Sequence, residues 1–165
     1  MWACLPLLAP GGAAGGTLAH SAQTAIELST VVQINAVRGA HGLPPLQFSP
    51  GLLAAAVLHD RQMVQGGYFD HRGPDGSDFF SRIGAYYPPG GHVFYAVGEN
   101  ILYTQGQASS TAMVSRWMGS AEHRANILSP QWRQVGVAVL TVPSAPGVFG
   151  GLPVTVVTVD FGVRK

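Results

Sequence analysis

Two stretches near the start of the chain carry apolar residues at helical spacing. The first predicts a helix over residues 22–40, ended by His41 and Gly42. Its apolar side chains lie near one face: Ile26, Val31, Ile34 and Val37. The second predicts a helix over residues 50–65, with Ser49 as its cap and a proline at its first position. The side chains that we expect it to bury are Leu53, Val57 and Val64.

Proline and glycine interrupt the pattern in the middle of the chain. Residues 42–50 hold two adjacent prolines and predict a rigid loop. Residues 74–76 read Pro-Asp-Gly, a turn in which proline presets φ and glycine allows a positive φ. A short helix is expected over 77–83, capped by the serine that opens it. A third helix is predicted over 109–119, and a fourth helical piece or irregular turn over 121–128.

Three later stretches have strand character. They cover residues 97–104, 132–140 and 153–162, and the last two are rich in valine. We expect the last two to pair antiparallel. Because helices come first and strands last, the pattern predicts the α+β class, with helices packed on an antiparallel sheet in a single domain.

Composition narrows the possibilities. The 165 residues are 47% hydrophobic and 10% charged, which excludes a solvated disordered chain. The net charge is +1 and no basic run exists, so the clustered Lys/Arg of nucleic-acid binding is missing. No apolar run approaches the roughly 18 residues of a transmembrane helix.

The first 25 residues carry no charge and many small side chains. Residues 1–25 are therefore interpreted as a secretory leader whose start lies upstream, as a flexible tail, or as a segment with a lipid-modified Cys4. Cys4 is the single cysteine, so the chain cannot form an internal disulfide.

Three polar residues stand out as candidate chemistry. Glu99 lies inside an apolar strand, where a carboxylate is costly to bury without compensation. His71 precedes the Pro-Asp-Gly turn, and His123 would share a helical face with Ser120. Two imidazoles and one carboxylate suit a divalent cation such as Zn²⁺. Each residue also has a structural interpretation, as a hydrogen-bonded glutamate, a turn histidine or a surface histidine.

Other candidates are weaker. No nucleophile elbow or phosphate-binding loop occurs in the sequence. His59 is interpreted as a residue at the edge of the core, and Trp117 and Trp132 as core anchors.

Several motifs, in order along the chain, resemble one family. They are residues 34–76, "GENI" at 98–101, "WMGSAEHRANIL" at 117–128, and the strands "VGVAV" at 135–139 and "DFG" at 160–162. Together they are similar to bacterial domains of the CAP superfamily, named for cysteine-rich secretory proteins, antigen 5 and pathogenesis-related class 1 proteins.

The resemblance implies a three-layer α-β-α sandwich with a central, mainly antiparallel sheet over residues 26–165. It implies a cleft built by two histidines and two acids, and His71, Glu99 and His123 match three of these positions. The fourth position is Ser120 here, a departure that the bacterial branch shares. Glu122 lies nearby, but its spacing directs it to another face.

Three functions follow as hypotheses. The first is a secreted or cell-envelope binding module, expected to be monomeric, whose partner is a divalent ion, a small apolar ligand or an envelope protein. The second is a metal-assisted, peptidase-like hydrolase, with His71 and His123 as zinc ligands and Glu99 as ligand or base. The third is a structural domain in which the polar cluster only stabilises the fold.

Overall fold

The computed structural model describes residues 13–165, with side chains from residue 23 onward. The helices are α1 (Ala13–Ala40), α2 (Pro50–Gly66), α3 (Phe79–Tyr86), α4 (Ser110–Gly119) and α5 (Ala121–Ile127). The strands are β1 (Gln47–Phe48), β2 (Tyr95–Gln105), β3 (Gln134–Val142) and β4 (Val154–Arg164). A short 3₁₀ turn, Gly147–Phe149, lies between β3 and β4.

The four strands form one sheet in the order β1-β3-β4-β2. β4 is flanked by β3 and β2, and both pairs are antiparallel, as expected for the last two strands. The two-residue β1 adds a parallel pair with β3 in a segment that was predicted to be a loop. The sheet is therefore mixed but mainly antiparallel, and the α+β class is confirmed.

Helices cover both faces of the sheet. α2 packs on β3 and β4, and α3 packs on α2 and β2. α1 contacts β3 and α4, while α5 contacts β2 and α4. The alternation along β4 follows from these two layers. Its residues toward α1, α4 and α5 are Val157, Val159, Phe161 and Val163. Those toward α2 start with Val154 and Val156, and then Thr158 and Asp160 bring polar groups into the core.

The structure confirms Ser49 as the cap of the second helix, and of the three side chains expected to be buried it confirms only Val64. Ser49 accepts a hydrogen bond from the backbone N–H of Leu52, and Gly67 ends the helix with φ +66°. Leu53 and Val57 are only half-buried. The fully buried side chains are Leu52, Ala55, Ala56, His59, Asp60, Met63 and Val64. The helix backbone approaches the sheet closely at Gly136, where Leu52 and Leu53 meet a residue without a side chain.

Other boundaries differ from expectation for local reasons. α1 begins at Ala13, ahead of the expected residue 22; residues 1–12, with Cys4, lie outside the described residues. Asp78, not Ser77, caps α3, because the Ser77 hydroxyl donates to Asp75 in the preceding turn. The helix also continues past Gly84 to Tyr86.

The two tryptophans are core anchors, as expected. Trp117 and Trp132 are buried, and their indole N–H groups donate to the carbonyls of Ile101 and Asn126. In the described part of the chain, no helix combines the length and the apolarity needed to cross a bilayer.

The closest approach of helix and sheet gives a test of the fold. A Cβ atom at Gly136 would lie 2.1 Å from the backbone nitrogen of Leu53. Because backbone cannot move aside as a flexible side chain can, we expect Gly136→Ala to lower the free energy of unfolding by about 1–3 kcal/mol or more. Urea denaturation measures this loss.

Gly119→Ala is the matched control, since a Cβ atom there meets nothing within 4 Å. It should leave stability unchanged or raise it by up to about 1 kcal/mol. Equal stability of the two variants would contradict the close packing of α2 on β3.

Candidate functional site

Glu99 is the buried centre of the polar cluster. It lies on β2 with its side chain toward α2 and α3, and its exposed fraction is only 4%. One carboxylate oxygen accepts a hydrogen bond from Nδ1 of His71 at 2.6 Å. The other accepts from Nη2 of Arg82, which is also buried. A carboxylate in the core is tolerated because an arginine neutralises it and both oxygens are bonded.

His71 is held at the rim of this cluster. Its backbone carbonyl accepts from Nη1 of Arg82 at 3.3 Å, so one guanidinium fixes both the histidine and the glutamate. The side chain is 47% exposed. The hydrogen bond to Glu99 raises the pKa of His71 above its ordinary value. Because Nδ1 is engaged, Nε2 is the ring nitrogen left to contact a ligand.

His59 supports the same loop from inside the core. Its Nε2–H donates to the carbonyl of Asp70 at 2.9 Å, and the same nitrogen lies 4.0 Å from the Glu99 carboxylate. Burial lowers the pKa of His59 to about 4, so the ring is neutral at pH 7. The prediction of a core-edge residue understated its burial, because its exposed fraction is 0%.

His123 reaches the site from α5. Two asparagines fasten this helix to the sheet: Asn100 donates to the His123 carbonyl, and Asn126 donates to the Glu99 carbonyl. The imidazole is half-buried. Burial, followed by the charge of His71, lowers the pKa of His123. The two imidazoles are therefore close enough to interact electrostatically.

The fourth position adds little to the cluster. Ser120 ends α4 and begins α5, and its side chain makes no capping hydrogen bond. Glu122 is exposed, and its effect on His123 is weaker than that of burial or of His71. No contact of either side chain with Glu99 is present in the described structure.

An open groove of about 550 Å³ runs beside His123 along the second half of β2. Its lining combines aromatic, aliphatic and basic side chains without any carboxylate: Phe69, Ile101, Leu102, Tyr103, Thr104, Gln105, Arg116 and His123. Of the four residues predicted from the sequence, only His123 lines this groove. The ring of Phe69 packs edge-on against Tyr103 with centroids 4.8 Å apart, which gives one wall an aromatic surface.

The outer edge of β2 is covered at the same place. Side chains of α4 and α5 donate to three consecutive outward carbonyls of the strand. The pairs are Asn126 to Glu99, Trp117 to Ile101 and Arg116 to Tyr103, at 3.0, 3.2 and 3.3 Å. These bonds fix the position of His123 relative to Glu99.

The donor set does not fit a three-residue metal site. Both oxygens of Glu99 are committed to His71 and Arg82, and its side chain is fully buried. Within residues 23–165, whose side chains the structure describes, no group of three or more His, Cys, Asp or Glu side chains is placed to hold a metal ion. Only the imidazoles of His71 and His123 remain as ligands, which is fewer than the three protein ligands of a catalytic zinc site.

Several residues of this cluster were not identified from the sequence. Arg82, Asp60 and Asp160 are buried charged or ionisable groups that converge on Glu99. The sequence held one signal for Asp160, a carboxylate within an alternating valine-rich strand. The signal for Arg82 was weaker. It lies next to Ile83 in a predicted short helix, and the sequence did not show which face of that helix is buried.

The polar cluster gives a stability test. In Glu99→Gln the buried Arg82 loses its charge partner, so we expect the free energy of unfolding to fall by about 3–5 kcal/mol. The double variant Glu99→Gln/Arg82→Gln should recover part of that loss, because it leaves no lone buried charge. Chemical denaturation of the variants measures the coupling.

The exposed Glu122→Gln is the control and should change stability by no more than about 0.5 kcal/mol. If Glu99→Gln were equally mild, the cluster would not be the element that stabilises this part of the fold.

Comparison with known proteins places these features in a family. The model of the cysteine-rich secretory protein family (CAP) matches residues 32–161, which includes His71, Glu99, Ser120 and His123. The uncharacterized protein YkwD of Bacillus subtilis is 35% identical over 121 residues. That alignment covers 73% of this chain and 45% of YkwD.

Two solved structures have a similar fold. An extracellular protein containing an SCP domain from Bacillus anthracis matches with a TM-score of 0.62 and 25% identity, over 98% of this chain and 45% of that one. An outer surface protein of Borrelia burgdorferi matches with a TM-score of 0.60 and 17% identity, over 82% and 90%. The chain thus spans less than half the length of YkwD and of the Bacillus anthracis protein.

Proposed function

Because the chain belongs to the cysteine-rich secretory protein (CAP) family, we propose that it is a secreted or cell-envelope binding module. Its ligand lies in the groove beside His123, with His71 at the rim. The extracellular description of the Bacillus anthracis relative supports this location. The observation that carries the binding role is the groove itself, an open space beside the half-buried imidazole of His123.

The lining of the groove favours an anionic ligand that also has apolar surface. Phe69 and Tyr103 supply aromatic area, and Arg116 supplies a cation that is exposed to solvent. Among the described residues no carboxylate lines the groove, and the exposed Glu122 has only a minor effect on the imidazole of His123. An acidic peptide with aromatic or aliphatic side chains has this chemistry, and charge complementarity gives it specificity.

The cluster around Glu99 serves this function by positioning. It keeps His71 in one orientation, with Nδ1 bound and Nε2 free for a ligand. The hydrolase hypothesis needs Glu99 as a ligand or a general base, and the bonds of Glu99 to Arg82 and His71 favour the binding role over that chemistry. This proposal includes the structural hypothesis, because the same cluster that stabilises the fold also holds His71 in place.

Peptide titration tests the groove. Terminally blocked acidic peptides containing leucine and tyrosine should shift the backbone amide resonances of residues 101–105 in two-dimensional NMR spectra. The same peptides with lysine in place of glutamate should not. We expect Arg116→Gln to weaken the acidic peptide about tenfold, the loss of one charge-assisted hydrogen bond.

Arg124→Gln is the matched control, because Arg124 is an exposed arginine on α5 that does not line the groove. Shifts that are equal for acidic and basic peptides, or equal losses in both arginine variants, would contradict a specific anionic site.

A divalent ion at the two imidazoles stays a prediction, and calorimetry tests it. With only His71 and His123 as ligands, we expect any Zn²⁺ binding to be weak and to disappear in His71→Ala. His92→Ala, an exposed histidine outside the site, should bind as the wild type does. Tight binding that survives His71→Ala would contradict this assignment, and an absence of heat in the wild type would remove metal from the function.

A further inference from the structure

Asp160 faces Glu99 across the sheet. The two residues are directly opposed on β4 and β2, and Asp160 is completely buried. The carbonyl of Glu99 points outward to Asn126, so this is a pair without backbone hydrogen bonds between the two residues. In such pairs the Cα atoms are about 4.5 Å apart and the side chains are closest. The two side chains accordingly lie on the same face of the sheet, where the charge of Glu99 acts directly on Asp160.

No ordinary donor serves Asp160. Among the described residues, no N–H or O–H group reaches either of its oxygens. Opposite Asp160 on the other flank, β3 presents Gly136, which has no side chain. Arg82 is the nearby cation, but its hydrogen bonds go to Glu99 and to the carbonyl of His71. Two ionised carboxylates in contact in this core would repel each other without compensation.

We propose that Asp160 is a protonated carboxylic acid at neutral pH and donates a hydrogen bond to the Glu99 carboxylate. The Glu99 carboxylate then accepts hydrogen bonds from Asp160, Arg82 and His71. A proton lies between the carboxyl oxygens of Asp160 and Glu99, so these oxygens do not repel each other. Asp160 is thereby a positioning residue, which acts on the rim histidine through Glu99. This inference is independent of the groove and its ligand.

The electrostatics of the core agree with a proton on Asp160. Burial, and then the charge of Glu99, raises the pKa of Asp160 well above its ordinary value, and the opposing effect of Arg82 is smaller. Asp60 on α2 is the remaining charged neighbour. Its carboxyl accepts from the Thr158 hydroxyl at 2.6 Å, and burial raises its pKa as well.

A bound metal ion is the alternative that would stabilise the converging carboxyl groups of Glu99, Asp160 and Asp60. The described residues contain no His, Cys, Asp or Glu group placed to hold one. The buried guanidinium of Arg82 also occupies the position next to Glu99 that a cation would take. A shared proton is therefore the interpretation that fits the residues present.

Carbon-13 NMR of protein labelled at the aspartate carboxyl carbons tests the proposal. At pH 7, in the presence of a chelator, the resonance that disappears in Asp160→Asn should have the chemical shift of a protonated acid. A carboxylate shift for that resonance overturns the proposal, including the case in which the proton resides on Glu99 instead.

If Asp160→Asn does not fold, the carbon-13 spectrum of Asp60→Asn answers the same question. Asp60 is the other fully buried aspartate, so a protonated-acid signal that remains in Asp60→Asn belongs to Asp160. In the same aspartate-labelled protein, the infrared carbonyl stretch of a carboxylic acid carries the isotope shift of the label, which separates an aspartate signal from one of Glu99. Loss of every protonated-acid signal in Asp60→Asn would overturn the proposal.

The pH profile of stability gives a second readout. An unfolded aspartate releases its proton near pH 4, whereas folded Asp160 keeps it, so folding binds a proton above that pH. Rising pH therefore destabilises the wild type through this group, and its unfolding equilibrium constant should rise about tenfold per pH unit relative to Asp160→Asn. Urea titrations at several pH values from 4.5 to 6.5 measure the ratio.

Comparing the wild type with Asp160→Asn removes the contributions that titrating groups outside this carboxyl cluster make to the pH dependence of stability. His59, His71, His123 and Asp60 are present in both proteins and contribute to both profiles. The difference between the profiles reports Asp160 together with its interactions with Glu99 and Asp60. Parallel profiles for the wild type and Asp160→Asn would overturn the proposal.

Discussion

A carboxylate buried beneath the central sheet constrains much of this molecule. Glu99 cannot be desolvated alone, so Arg82 on α3 and His71 in the loop after α2 must both be in place when β2 joins the sheet. The same contacts tie a short helix and a turn, neither of which has a large core of its own, to the strand beside them. Stability and the geometry of the site therefore depend on the same few bonds.

Local signals in the sequence predicted the parts of the fold that local chemistry decides. Ser49 and the proline after it predicted the start of α2, and the two valine-rich stretches predicted a pair of antiparallel strands. The buried face of α2 was predicted correctly at Val64 and wrongly at Leu53 and Val57, because these two are as apolar as the residues that are buried. The backbone of Leu52 and Leu53 meets Gly136 on β3, a strand more than 80 positions away, and spacing within the helix cannot reveal that contact.

The site shows the same division. His71, Glu99 and His123 were proposed from a family resemblance, and the structure brings His71 to Glu99 and places His123 near His71. What the sequence could not show is which of them is accessible. A strand glutamate looks the same whether it faces a cleft or an arginine. The difference lies in Arg82, whose position depends on how α3 packs and not on any motif.

The row of side chains that covers the outer carbonyls of β2 has a consequence for how this protein meets other chains. An open sheet edge offers backbone groups to any extended peptide, whatever its sequence. Here Asn126, Trp117 and Arg116 already occupy those acceptors. On the far side of the sheet, Glu27 accepts from the backbone N–H of Val139 beyond the short β1. With these carbonyls of β2 already occupied, a peptide in the proposed groove would be recognised by its side chains more than by extension of the sheet.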